Sequence, residues 1–455
     1  MLLIPFTPQA KQIRLGYLAM AGFTLAFVSV LAQWGETDLA FFNMVFQDNF
    51  GQFSRLIFLF SGGIICLISM LYLEREKLLK AEYFSLLLFA TVGMCLMATS
   101  ADLVMTFLGL EILSIATYVL AGYRLGEGKS TESALKYFIL GAFSTAFLLY
   151  GIAFVYGATG STKYLTIAET LRSFESYPGF LLFGVGLMVV GFGFKAAFAP
   201  FHIWTPDVYE GAPIPITAHL AVASKAAAIV AFLRILYQVM PDLSGNWQLL
   251  LWVSAVLTMA IGNIAALTQS NIKRMLAYSS IAHAGYLLVG LTAHNLLGAQ
   301  GVLFYLLAYA FMNLGAFAIV QLIGRQGEEF VAIKDYAGVG YRYPFLGLSL
   351  SVFLVSLAGI PLTAGFTGKL FLFAAAIEQG MYWLVVIALL ASAIGIYYYL
   401  RVLVFMYMRD AEGETPSVAL PMVARVVIVI MVLGTLYLGI FPSSILNIAS
   451  EAARF

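Results

Sequence analysis

A chain of 455 residues in which 62% are hydrophobic and only 10% charged, with a mean hydropathy of +0.94, is far too apolar for a soluble globular protein. Its net charge of +1 gives no basis for binding nucleic acid, and its two cysteines, Cys66 and Cys95, lie inside apolar runs without CxxC or Cys/His spacing, which argues against a disulfide framework or a metal site. What remains is an all-α polytopic membrane protein.

Taken in chain order, Met1 to Ala10 contains two prolines and precedes the first basic residues, so no cleavable signal peptide is expected and the first spanning helix is expected to act as the insertion signal. Runs of about 20 apolar residues predict thirteen spans. They are Leu15 to Trp34, Phe53 to Leu73, Tyr83 to Thr99, Leu103 to Tyr123, Ser133 to Tyr156, Phe180 to Pro200 and Ile214 to Met240. Trp247 to Thr268, Ile272 to Ala293, Leu296 to Ile323, Pro344 to Ile377, Met381 to Met408 and Val418 to Ile440 complete the set. The run from Pro344 is too long for one straight helix and carries GIPLTAG at its middle, which predicts a helix broken at membrane depth. A second interruption is expected at GFKAAFAPFHIW. Each break falls within a block of five spans, an odd number that makes consecutive blocks enter from opposite sides, so the expected units are N-terminal helices (1–81), two inverted five-helix repeats whose broken helices would each form a proton half-channel (82–240 and 241–410), and a C-terminal helix (411–455).

The basic residues set the orientation. With a cytoplasmic N-terminus, one set of loops and span ends holds Lys11, Arg14, Arg75, Lys77, Lys80, Arg124, Lys129, Lys273, Arg274, Arg325, Lys334, Arg342 and Arg409, and the other only Lys163, Arg172 and Arg454. One missed or extra span would scramble this alternation.

Four ionisable side chains interrupt the apolar runs: Glu111, Lys195, Lys225 and Lys369. A charge at that depth costs from about 3 to more than about 10 kcal/mol, so one acid and three bases there suggest a proton path. Structural alternatives stand beside that reading. Glu111 shares a helical face with Ser114 and Tyr118 and is either part of a conducting stripe or a neutral acid hydrogen-bonded to a neighbouring helix. Lys195 is a buried base or a lysine snorkelling to the headgroups. Lys225, among alanines, is too deep to snorkel easily. Lys369 follows the GIPLTAG break, whose freed carbonyls would also hold an ammonium as a structural pin. His283 is a relay or a satisfied interior histidine. His202 and His219 are expected to make structural hydrogen bonds, His294 to lie in a loop, and Arg234 and Arg425 to snorkel. The many Phe and Tyr residues are expected as lipid-facing or interfacial anchors rather than a quinone site. No GxGxxG, P-loop, haem-type histidine pairing or cysteine cluster is present, so the chain is expected to carry no redox centre and no nucleotide.

The segments GFKAAFAPFHIWTPDVYEGAPIPITAHLAVASKAA, LTQSNIKRMLAYSSIAHAGYLL and SLAGIPLTAGFTGKLFLF resemble the antiporter-like membrane subunits of respiratory complex I, the NADH-quinone oxidoreductase. WTPDVYEGAP with Lys225 in ASKAA points to the N type, the counterpart of subunit two in mitochondria and of the B type in plastids, over the L and M sister types. The resemblance runs from Leu15 to Ile440 and implies a proton-translocating role driven by quinone reduction in partner subunits. The other membrane subunits, the sister antiporter-like chains among them, are the expected partners; FMN or iron–sulfur clusters and the quinone site are expected in partner subunits, with no cofactor in this chain. It implies that Glu111 lies on the helix pairing with Lys195, that Lys225 connects the half-channels, that Lys369 belongs to the second broken helix and that His283 is on the central axis. A bacterial inner membrane is implied, with a thylakoid membrane as the alternative. A subunit of a cation/proton antiporter, or a stand-alone secondary transporter, is the competing reading. In one respect the chain departs from the family's bacterial members: it begins where their second helix would, which implies either an absent helix or an upstream start.

Overall fold

A helix that leaves the membrane must satisfy its first free N–H groups, and several do so with an acid or amide at the rim. In the computed structural model, which describes residues 12–410 and 418–454, Asp48 accepts from Gly51 N, Asp102 from Val104 N, Asn271 from Lys273 and Arg274 N, and Asn295 from Gly298 N. In chain order the helices begin with α1 (Ile13–Ala32), α2 (Asn49–Arg75), α3 (Ala81–Thr99), α4 (Leu103–Ala121) and α5 (Gly128–Thr159). After a short helix α6 (Tyr164–Arg172) come α7 (Gly179–Ala196), α8 (Trp204–Gly211), α9 (Ile214–His219) and α10 (Lys225–Arg234), with a π-turn at Leu220–Ser224 between the last two. The remainder is α11 (Ser244–Leu267), α12 (Ile272–Ala293), α13 (Leu296–Leu322), α14 (Val339–Arg342), α15 (Pro344–Ala358), α16 (Ala364–Glu378), α17 (Tyr382–Met408), α18 (Met422–Ile440) and α19 (Ser443–Ala452). Two small hairpins, Asp38–Ala40 with Val45–Gln47 and Gly324–Arg325 with Glu328–Glu329, are the only paired strands among the described residues.

Among the described residues, twelve helical stretches are long and apolar enough to cross a membrane. The thirteenth expected span is two fifteen-residue helices in series, α15 and α16. They do cross: the loop before α15 pairs with Asn271 through Ala332 on one face, and Glu378 at the end of α16 bonds Asn295 on the other. The second expected interruption is also present, because α7 stops at Ala196 and the chain resumes as α8. Ala197 adopts a left-handed conformation (φ 62°) and closes α7 with bonds from Ala197 N to Phe194 O and from Phe198 N to Gly193 O.

Contacts between loops respect the sidedness read from the basic residues. On the inner, Lys/Arg-rich face, Arg124 and Lys273 both pair with Glu329 (3.0 and 3.2 Å), Lys129 and Arg274 with Glu210 (2.8 Å each), and Arg274 and Lys136 with Asp207 (2.8 and 2.6 Å). Burial opposes ionisation of Glu329, but Lys273 and Arg124 hold its carboxyl below the usual carboxylate range. Outer loops meet outer loops: Val45 bridges Ser100, Asp102 bridges Lys163, Arg172 pairs with Asp242, and Asn49 bonds Glu451. Lys11 lies outside the described residues.

Close packing repeats in the two halves. A Cβ on Gly93 would sit 2.5 Å from Gly109 O, so α3 and α4 approach as only glycines allow, and a Cβ on Gly262 would sit 2.5 Å from Ala282 N between α11 and α12. The short α6 and α19 were not expected, since amphipathic helices of this length carry no spanning signal.

Arg234 corrects an expectation. It does not snorkel: it is fully buried and bonds Asp48 through both terminal nitrogens (2.6 and 2.8 Å) while stacking on Phe46 and Phe50. The helix is too tightly covered for the side chain to reach water, so the carboxylate is brought to it. Arg425, by contrast, is exposed near the start of α18, as snorkelling requires. Burial opposes ionisation of Asp48, yet Arg234 holds its carboxyl below the usual range, so the pair stabilises the fold at neutral pH and that stability is lost as pH falls through the lowered value. Asp48→Asn is expected to destabilise the protein by about 3 kcal/mol or more, because it strands a buried guanidinium. Thermal unfolding should show the loss at pH 7 and a much smaller difference from wild type in acid; an equal difference at both would remove the ion pair as its cause.

Candidate functional site

The three span lysines are all buried, with 3%, 2% and 6% exposure for Lys195, Lys225 and Lys369. No carboxylate lies within 4 Å of any of them among the described residues, so each ammonium is held by neutral acceptors instead.

Lys195 sits one residue before the end of α7. The carbonyl of Phe194 is taken by Ala197 N and by the Trp204 indole (3.0 Å), which leaves the lysine free to turn toward α4 and α5. Its Nζ donates to Ser114 Oγ and Tyr137 OH, both at 2.9 Å, and lies 5.1 Å from the Tyr137 ring centroid. The expected polar stripe of α4 therefore does point inward. Glu111, one turn before Ser114, is partly buried and makes no ion pair with Lys195; its Oε1 is buried without a hydrogen-bond partner. The structure thus brings Lys195 to the helix of Glu111 by way of Ser114, and the two charges do not form an ion pair.

Lys225 opens α10 directly after the π-turn, a local widening of the helix of the kind often found at functional positions. Its Nζ donates to Ser280 O (2.6 Å) and Ser280 Oγ (2.5 Å), which ties the last helix of the first half to α12 of the second. The next residue back, Ser279, bonds Tyr399 OH, and Tyr399 OH meets His283 Nε2 at 3.0 Å. His283 Nδ1 lies 2.5 Å from Tyr305 OH, and the ring is surrounded by Tyr286, Tyr305 and Tyr309. Both nitrogens are committed to hydroxyls that can donate or accept.

Lys369, in α16 just past the break, donates to Leu357 O (3.2 Å), Ala358 O (3.1 Å) and Ser392 Oγ (2.9 Å), with the Tyr286 ring 4.7 Å away. It caps the carbonyls freed where α15 ends, as the pin reading anticipated, and also reaches a hydroxyl on α17. Tyr286 continues through Asn263 to Tyr398 (3.2 Å at each bond).

Several members of this row were not anticipated. Tyr137, Tyr305, Tyr399, Ser280 and Ser392 were invisible because tyrosines are expected from the sequence as lipid-facing anchors, whereas Tyr137, Tyr305 and Tyr399 are at most 1% exposed. The available signal was the spacing of four between Tyr305, Tyr309 and Asn313 on α13, a polar stripe inside an apolar helix. His202 and His219 do not make the structural hydrogen bonds expected of them: His202 Nδ1 and both nitrogens of His219 are buried without a partner. His294 does end a helix, between the edges of Tyr237 and Trp247.

Residues 100–395 match the family model described as NADH:quinone oxidoreductase/Mrp antiporter, transmembrane. The chain is 47% identical over 450 residues to NADH-quinone oxidoreductase subunit N of Trichlorobacter lovleyi, covering 99% of this chain and 92% of the relative, and 44% identical over 455 residues to subunit N 1 of Solibacter usitatus, covering 100% and 93%. Among solved structures it superposes on a chain of respiratory complex I from Thermus thermophilus with a TM-score of 0.85, 36% identity and 98% and 95% of the two chains covered. A chain of the Mrp complex from Dietzia gives 0.88 at 18% identity over 99% and 94%, which speaks to the fold alone. The broken helices, the buried lysines and this similarity along nearly the whole length lead to one assignment: the chain belongs to the family of membrane subunits shared by NADH:quinone oxidoreductases and Mrp antiporters.

Proposed function

We propose that this chain is a proton-translocating, non-redox membrane subunit of an NADH-quinone oxidoreductase, working in a bacterial inner membrane beside its sister antiporter-like chains. The subunit N relatives at 44–47% identity favour that assembly over a cation/proton antiporter. The flavin, iron–sulfur and quinone chemistry would reside in partner subunits, and the two halves, 82–240 and 241–410, would be the two proton half-channels.

The observation that carries the reading is the row of buried bases and hydroxyls at mid-depth, from Lys195 with Ser114 and Tyr137, through Lys225, Ser280, Ser279, Tyr399, His283 and Tyr305, to Lys369. A hydroxyl accepts a proton on one side while giving one up on the other, so such a row conducts without fixing charge. Lys195 is the switchable base. Its Nζ is held by the hydroxyls of Ser114 and Tyr137, with Glu111 one turn from Ser114 on α4, so displacing the α4 face would remove part of what holds the ammonium and release a proton toward Lys225, with Lys369 discharging outward. Each proton moved against the membrane potential requires about 2.3 kcal/mol per 100 mV, and a change in solvation of one buried charge is of that size.

Lys225→Arg decides between relay and pin, because arginine keeps the charge but does not give up its proton near neutral pH. The assembled complex is expected to form normally and to pump protons at least about tenfold more slowly in proteoliposomes. Fully coupled pumping by this variant would reject the reading.

Glu111→Gln and Lys195→Ala are each expected to depress pumping, and the double variant to lose much less than the two effects combined, since both act on one switch through Ser114. Proton-to-electron ratios measured on all three variants check this, and losses that simply multiply would show that the residues act apart.

A further inference from the structure

The row has a gap between Lys195, which ends on Ser114 and Tyr137, and Lys225, which ends on Ser280. His219 lies in it. It closes α9 immediately before the π-turn, six residues ahead of Lys225 and so about 9 Å along the helix axis. α9 also packs against α4, whose Ser114 receives Lys195. The side chain is completely buried, and neither ring nitrogen has a protein group within hydrogen-bonding distance.

A histidine kept for structure would have its ring nitrogens hydrogen-bonded to protein groups. A histidine kept only to fill space would carry a cost that an apolar side chain of similar size avoids. The surroundings supply no direct partner but do supply polar walls: α13 packs against both α9 and the π-turn, and it brings Tyr309 and Asn313, whose side-chain polar atoms are likewise buried and unbonded. Buried polar atoms in such a group are served by water.

We propose that His219 is the proton relay between Lys195 and Lys225, working through water held among α9, the π-turn and α13. This rests on the reading of the lysine row as a conductor. In the step, the Lys195 ammonium gives a proton by way of water to one ring nitrogen, and the other ring nitrogen releases one by way of water to the neutral amine of Lys225. The ring ends as a neutral imidazole in its other tautomer, Lys195 as the amine and Lys225 as the ammonium.

The test uses the whole assembled complex in proteoliposomes, with proton pumping measured against electron transfer and assembly checked on the same preparations. His219→Gln, which keeps hydrogen bonding and approximate size but cannot carry a proton, is expected to slow pumping about tenfold or more. His219→Ala should be equally slow and should recover on adding imidazole, a response that a merely structural role does not give. Pumping at the wild-type rate by His219→Gln overturns the relay, as does an alanine variant that imidazole fails to restore. Failure of the glutamine variant to assemble also counts against it, because a side chain without protein partners tolerates an amide of similar length. If Lys225→Arg also pumps normally, the conducting row itself is wrong; if Lys225→Arg is blocked while His219→Gln is normal, only the relay falls.

Discussion

An ammonium group in a medium that excludes water must be given hydrogen-bond acceptors, and the interior of this protein is arranged around doing so at three lysines without a carboxylate. Lys195 takes two hydroxyls, Lys225 a hydroxyl and the carbonyl of the same serine, Lys369 two carbonyls and a hydroxyl. The irregular stretches of backbone follow from this. The end of α15 exposes the carbonyls that Lys369 uses, the end of α7 has its Phe194 carbonyl covered by Trp204 so that Lys195 can turn away, and the π-turn directly precedes Lys225. Lipid would not tolerate such free backbone groups, and Leu357, Ala358, Phe194 and the residues of the π-turn are all buried.

Full ion pairs occur, but toward the rims. The inner face joins Arg124, Lys129, Lys273 and Arg274 to Asp207, Glu210 and Glu329, and the outer face locks Arg234 onto Asp48. The division has a physical sense. A close ion pair holds its proton firmly and fixes geometry, which suits an anchor between loops and helices. A hydroxyl leaves the protonation state of its neighbour open, which suits a group that must load and unload. The two broken helices are not equivalent in this respect, for one lysine holds its own helix end together and the other does not.

The apolar spans, both helix breaks and the identity of the buried bases were legible in the sequence, because each depends on a local property: the length of an apolar run, a proline or glycine within it, a charge too costly to be accidental. The Lys/Arg alternation was equally legible, since it acts on each loop separately. Partners were not. Nothing in the chain around Arg234 announces Asp48, 186 positions away, and nothing around Lys195 distinguishes Ser114 and Tyr137 from the other hydroxyls of an apolar chain. Tyrosine has an apolar ring and a polar end, so its sequence context cannot say whether the hydroxyl meets a headgroup or a buried histidine; only the packing of α12, α13 and α17 puts Tyr305 and Tyr399 against His283. The sequence by itself determined how this protein sits in a membrane and which charges it takes there, because those are costs paid residue by residue. Which neutral groups receive those charges was decided by the tertiary structure alone, because hydrogen bonds are made between helices that the chain order separates.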